Sequence, residues 1–387
     1  MKEKVDPVVD EAIETLDMKD GPARRKLLKG AGLFSATAAA SALISACSSS
    51  GSTSAGTTKQ VAGNFPTTPK WQFWFVNHVT TNPFFTPTQY GLADAAALLD
   101  LPTPKFGGSE NSNISQMTNY MSTAISAKAD GIAVAVISAT AFTSPVANAL
   151  NAGIPVLSYN ADGTFVNGKA VIGTNRLAYV GQALYISGQQ MGTEIAKLLP
   201  GGGEIVIFIA TPGTGNIQPR YDGAVSVLQG KGFTIHEVAT GAATSAELPA
   251  EKAYLLGHKS IKGAFAVDAG STEFLGTALQ SAGLKVPSGG FDTLGNTLSN
   301  IQNGLMDFTI YQDPYLQGFL PVLYMYLYNI SGGTLAPPDT DTGLTIITKS
   351  NAGPYATPSR FQGSTTAQKY IPRPSGAINS PPATTST

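Results

Sequence analysis

Cysteine is almost missing from this chain: Cys47 is the only one among 387 residues. No intrachain disulfide is possible, and neither a zinc knuckle nor a CxxC redox pair can be built. Histidine is nearly as scarce. His78, His236 and His258 are the whole set, and their spacing forms no HExxH-type metal site. Charge is thin as well. With 13% ionic residues and a formal net charge of −1, the chain carries no electrostatic footprint for nucleic acid or an anionic membrane. Long apolar runs are lacking too. The most apolar helix-like stretch, Tyr315 to Ile330 (YLQGFLPVLYMYLYNI), is interrupted by Pro321 and falls short of the ~20 residues a membrane span needs. It reads as a buried helix. No metal and no cofactor are expected.

What is present begins with an address. Arg24-Arg25 precedes a mildly apolar, uncharged run from Ala31 to Ala46, the pattern of a twin-arginine export signal. The run ends Ile44-Ser45-Ala46-Cys47, which resembles the lipobox of bacterial lipoproteins, where the cysteine carries the lipid. Residues 1–47 are therefore expected to be a leader, with Cys47 as lipid anchor on the outer face of the cytoplasmic membrane. Charges before Cys47 cancel, so the remainder stays near neutral. Residues 48–69 are dominated by Ser, Thr and Gly and read as a flexible tether. Residues 351–387 are rich in Pro, Ser, Thr and Gly and read as an irregular tail. The folded body is expected at about 70 to 350.

That body is organised around WQFWFVNHVTTNPFF, Trp71 to Phe85. Its first half is a compact apolar run suited to a strand buried on both faces of a parallel sheet. Its second half leaves the strand's carboxyl end, where open α/β folds keep their ligand sites. There Asn82 sits beside Phe84 and Phe85, with His78 just before. Aromatic faces next to an amide suit the C–H faces and hydroxyls of a sugar or polyol better than a phosphate. The plainer reading is that the two phenylalanines cap the core, as such stripes commonly do. Downstream, short β-branched runs alternate with helical stretches in two series. The first runs to the strand Val156–Tyr159, and the second opens with a helix expected over Tyr179–Leu199. Such alternation predicts an α/β protein of two doubly wound parallel lobes.

Several strand ends close on polar groups: Tyr159-Asn160, Asp268, Phe291-Asp292 and Tyr311-Gln312-Asp313, with Arg220 following the loop TPGTGNIQP. Together they offer an Arg fork, two carboxylates and amides able to satisfy many hydroxyls at once. Asn216 in that loop is a second-tier candidate, as is His78. The loop lacks GxGxxG spacing, so nucleotide binding is weakly supported. Asp268 and Asp292 can also be read as the carboxylate pair of a glycosidase, but a binding site accounts for both without a pKa-tuned pair.

In order, VTTNPFF, ADGIAV, AGIPVLSYN, PRYDG, FAVDAGST, GGFD and FTIYQDP resemble the ribose-binding type of periplasmic sugar-binding proteins over most of residues 71–350. The resemblance implies two Rossmann-like lobes joined by three hinge strands, with crossings near Thr174, Gln312 and Thr342 and the ligand between the lobes. The N-terminal lobe would comprise 70–174 plus 313–341, and the C-terminal lobe 175–312 plus 342–350. It implies ligand contacts at Asn82, Phe84, Phe85, Asn160, Arg220, Asp268, Asp292 and Gln312. Asn160-Ala161 stands where the family usually has an aspartate followed by an arginine, which points away from ribose towards another pentose or a C4–C5 polyol. The implied function is a monomeric, non-enzymatic receptor that passes a small neutral carbohydrate or polyol to an ABC permease and its ATPase. A lipoprotein presenting the same ligand state to a membrane sensor is the alternative.

Overall fold

The computed structural model describes residues 68–356, apart from 167 and 168. The expected leader, Cys47, nearly all of the tether and residues 357–387 lie outside the described residues.

The founding run forms β1 (Phe73–Asn77), and all five of its residues are buried, as a strand covered on both faces requires. The first series continues through α1 (Thr86–Leu98), β2 (Lys105–Gly108), α2 (Ile114–Ser126), β3 (Gly131–Val136), α3 (Thr143–Asn151) and β4 (Val156–Asp162). An antiparallel hairpin, β5 (Thr164–Val166) with β6 (Lys169–Val171), precedes β7 (Tyr179–Gly181). The second series runs α4 (Leu184–Leu198), β8 (Gly203–Ile209), α5 (Gln218–Leu228), β9 (Phe233–Ala239) and α6 (Thr244–Gly257). It continues through β10 (Gly263–Ala266), α7 (Ala269–Ala282), β11 (Ser288–Phe291), α8 (Gly295–Gln302) and β12 (Phe308–Tyr311). The chain then returns to the first lobe with α9 (Pro314–Ile330) and β13 (Thr340–Asp341), and ends in the second with β14 (Thr345–Thr348).

The first sheet has the order β13-β7-β4-β3-β1-β2 and the second β14-β12-β11-β10-β8-β9. Every pairing in them is parallel except β12 with β14. This is the two-lobed, doubly wound α/β architecture expected from the alternation.

Side-chain chemistry sets the element ends. Asn113 accepts from Gln116 N to start α2, and Asp313 accepts from Leu316 N to start α9. The return of α9 onto α1 depends on two glycines. A Cβ on Gly91 would sit 2.1 Å from Tyr315 O, and one on Gly318 would sit 2.0 Å from Thr88 O. Without them the helices would have to separate. Val322 and Met325 on the same helix are fully buried, so α9 is half core, half surface.

Three expectations shift. Tyr179–Gly181, read as the start of a helix, is a strand paired parallel to β4 and β13. The first crossing therefore lies at Gln182–Ala183 and not near Thr174, because β7 still belongs to the first sheet. Finally, order extends past residue 350: Ala352 is fully buried and the Tyr355 ring packs edge-on against Tyr311 at 5.2 Å.

Candidate functional site

The carboxyl ends of β1, β4, β10 and β11 and the loop after β8 meet around a cavity of about 70 Å³, room for a handful of waters at ~10–15 Å³ each. All ten residues singled out in the sequence line it. From the first lobe come His78, Asn82, Phe84, Phe85 and Asn160, and from the second Asn216, Arg220, Asp268, Asp292 and the crossing residue Gln312.

The aromatic pair packs in the core and also reaches the cavity. Phe84 and Phe85 belong to the first lobe's core, and they meet edge to face at 4.7 Å on the cavity wall. Asn82 orients them. As cap of the short 3₁₀ turn Pro83–Phe85, its Oδ1 accepts from Phe84 N (2.9 Å), which leaves the amide NH₂ as its donor. His78 stands edge-on to Phe85 at 5.3 Å, and burial pulls its imidazole down to about 4. It is therefore a neutral ring. Asn216 Nδ2 donates to its Nε2 across the cleft at 3.2 Å, a pairing that places the ring proton on Nδ1.

On the second-lobe side, Arg220 is 3% exposed and its guanidinium lies 4.2 Å above the Phe291 ring. Nη1 donates to Val267 O (3.1 Å) and Nη2 to Gln182 Oε1 (3.0 Å). Burial lowers its affinity for a proton, and Asp292, Tyr179 and Asp268 oppose that, so it remains a cation. Asp292 is raised to about 6 by burial, held back by Arg220 and by Gln312 Nε2, which donates to Oδ1 at 2.8 Å. Asp268 is more heavily engaged. It caps α7 through Ser271 N, and its Oδ2 accepts from Ala210 N (2.9 Å) and Ser271 Oγ (3.1 Å). Its carboxylate is thus mostly a strut between β8 and α7. Asn160 and Asp292 both hold positive φ, 63° and 73°. Asn and Asp tolerate that region best, and strained backbone of this kind clusters at ligand sites.

The structure adds residues the sequence passed over. Gln317, fully buried at the start of α9, accepts from Asn160 Nδ2 (3.1 Å). It also donates to Gln312 Oε1 (3.0 Å) and Thr342 Oγ1 (3.1 Å), linking a site residue to the second and third crossings. Gln182 links Arg220 to the third crossing by donating to Gly343 O (2.9 Å). No motif announced either glutamine. Gln182 was hidden by reading β7 as helix. Glu247 also lines the cavity.

The lobes touch directly here. Gly215 N donates to Ile137 O (2.9 Å), and a Cβ on Gly215 would sit 1.7 Å from Gly163 O. Four polar atoms on cavity-lining residues are nonetheless buried without a partner: His78 Nδ1, Asn216 Oδ1, Arg220 Nε and Glu247 Oε2. Leaving each so costs ~1–3 kcal/mol. Donors and acceptors from both lobes thus meet at one cavity beside two aromatic rings.

Residues 73–332 match the family model described as a periplasmic binding protein domain. The chain belongs to the periplasmic binding protein family. It is 50% identical over 319 residues to the xylose/arabinose-binding protein XylF of Sulfolobus acidocaldarius, covering 79% of this chain and 78% of that one. An ABC-transporter solute-binding protein of Burkholderia graminis, solved with D-arabinose, superposes with a TM-score of 0.67 at 25% identity, over 76% of this chain and all of that one. The glucose-galactose binding protein GanP of Geobacillus stearothermophilus shares the fold, with a TM-score of 0.64 at 22% identity over 73% of this chain and 99% of that one. This is a family of binding proteins, and membership implies an extracytoplasmic protein. Among the described residues, no helix is long and apolar enough to cross a membrane.

Proposed function

We propose that this protein is the solute receptor of an ABC importer and captures a small neutral carbohydrate, an aldopentose of the xylose or arabinose kind, in the cleft between its lobes. The observation that carries the reading is the set of unpaired buried atoms: His78 Nδ1, Asn216 Oδ1 and Arg220 Nε come from opposite walls of one small cavity. A ring bearing hydroxyls, each able to donate and accept, matches the mixed donors and acceptors that those side chains carry. Phe84 and Phe85 then cover its C–H faces. The 50% identical relative named for xylose and arabinose supports a pentose over the C4–C5 polyols.

Capture works by closure. A solute held by Asn82 and the aromatic pair gains Arg220 and Asp292 only when the lobes meet, so it favours the closed state by that differential affinity. The permease then reads the closed surface, and a lipid on Cys47 keeps the receptor beside it. Catalysis has no place in this reading: Asp268 and Asp292 hold structure and ligand. A thermal-shift screen of pentoses, hexoses and polyols tests it. A ligand at 100 times its dissociation constant stabilises the fold by about 2.7 kcal/mol. A pentose recovered unchanged after producing that shift supports the reading, and no shift with any sugar overturns it.

A further inference from the structure

Glu247 sits in the first turn of α6, is 2% exposed, and lines the cavity. Its carboxyl lies so close to the first turn of α7 that a Cβ on Gly270 would be 1.9 Å from Oε2, an atom without a hydrogen-bond partner. One helical turn on, Glu251 is fully buried and neither of its oxygens is paired. Two carboxyls thus stand in line behind the site with nothing to hold a negative charge.

The groups facing them make ionisation worse. Asp268, at the start of α7, acts on both, Glu273 of α7 acts on Glu247, and Glu247 acts on Glu251. Arg220 has committed both Nη groups to Val267 O and Gln182 Oε1. A buried carboxylate without a cation or donor costs several kcal/mol, so the acids stay neutral. Burial, with Asp268, pushes Glu247 up to about 9 and raises Glu251 as well. A neutral carboxyl has an O–H to give. Asp268 already takes three bonds from Ala210 and Ser271, which leaves it about one lone-pair site. A solute in the cavity that Glu247 lines adds further acceptors for that proton.

We propose that Glu247 is a specificity-determining ligand contact, which donates its carboxyl O–H to a hydroxyl of the bound carbohydrate while Glu251 backs it as a second neutral acid. The inference rests on the sugar reading above. It makes the α6 wall selective for a solute oxygen at that point and hostile to an anionic solute. The same cavity is lined by the small residues Ala210, Thr211 and Ala242.

The test is titration calorimetry of the full chain with D-xylose and L-arabinose, from about pH 6 to about pH 10, for wild type, Glu247→Gln and Glu247→Leu. Wild-type affinity should hold to about pH 9 and then fall about tenfold per pH unit as the proton is lost. Glu247→Gln, which keeps a donor and cannot ionise, should bind within about threefold of wild type at neutral pH and lose the alkaline decline. Glu247→Leu should bind about tenfold or more weakly, with its melting temperature unchanged or raised. A leucine variant that binds like wild type, or a glutamine variant that keeps the alkaline decline, overturns the proposal. Failure of wild type to bind either sugar overturns the sugar reading, and this inference with it, before any variant is compared.

Discussion

The two lobes repeat one winding order yet furnish the cavity differently. The first contributes neutral chemistry: the Phe84–Phe85 pair, the amides of Asn82 and Asn160, and a His78 ring that burial keeps uncharged. The second contributes nearly all the ionisable groups, namely Arg220, Asp268, Asp292 and Glu247. The lesson concerns division of labour. An aromatic, neutral wall recognises shape and loses little by waiting in water, whereas a charged wall is worth most after the cleft has closed and water has left. On the proposed reading the first lobe meets the solute's faces and the second fastens its hydroxyls, with Glu247 adding selectivity at one of them.

Breaking that contrast at the fastening side should have the largest effect. Asp292→Asn removes the carboxylate beside Arg220 but keeps a side chain that tolerates φ of 73°. Affinity for the pentose should fall by about 3 kcal/mol, over a hundredfold, in calorimetry, with the melting temperature little changed. Normal binding would remove Asp292 from the site. Next comes the contact between the lobes. Gly215→Ala places a methyl against Gly163 O, and such overpacking typically costs ~1–3 kcal/mol. Affinity should drop by roughly that amount, and small-angle scattering should show the ligand-saturated variant more open than wild type. An unchanged envelope would mean the two glycines do not govern closure.

The pH response sharpens the comparison, because the walls titrate in opposite senses. His78 has a depressed pKa, about 4 against an ordinary 6.5, so its share of stability is complete above about 6.5 and is lost as pH falls towards 4. Glu247 is raised to about 9 from 4.5, so its share is complete below about 4.5 and is lost as pH rises towards 9. Each group contributes a slope of about 1.4 kcal/mol per pH unit within its window. Between about pH 4.5 and 6.5 the two slopes oppose each other, so denaturant titrations of His78→Gln should leave stability falling with pH across that span, and those of Glu247→Gln should remove the fall between about 6.5 and 9. If both variants keep the wild-type profile, the slopes arise elsewhere. Smallest is Phe84→Leu, which keeps bulk but loses the aromatic face. A severalfold loss of affinity is expected, about 1 kcal/mol, and a hundredfold loss would mean the ring does more than stack.

Much of this was legible in the sequence because the signals were local. The run FWFV, the alternation of β-branched runs with helical stretches and the Asp and Asn residues at strand ends announce a buried strand, an α/β fold and a cleft rim without any tertiary knowledge. The motif order then brought ten candidate residues to one cavity. What was hidden depends on contacts far apart in the chain. β7 is three residues long and is a strand only because β4 and β13 flank it. Gln182 and Gln317 look like ordinary helix glutamines until Arg220, Asn160 and Thr342 meet them. Glu247 carries no signal in the sequence, and only its burial and an unpaired Oε2 single it out.

The glycine-mediated seating of α9 on α1 has a consequence for the order of assembly. Thr88 Oγ1 donates to Pro314 O, a contact between residues 226 apart in the chain. The second lobe, from α4 to β12, is one uninterrupted stretch save for its last strand, so most of its contacts become available as that stretch emerges. The lobe that begins the chain must wait for residues 314–341 before one flank of its sheet is covered. Closing so long a loop is slow, and until then the apolar side of α1 is an adhesive surface. The half synthesised first thus stays incomplete while nearly the whole of the other is made, and it is the one longer exposed to misassembly.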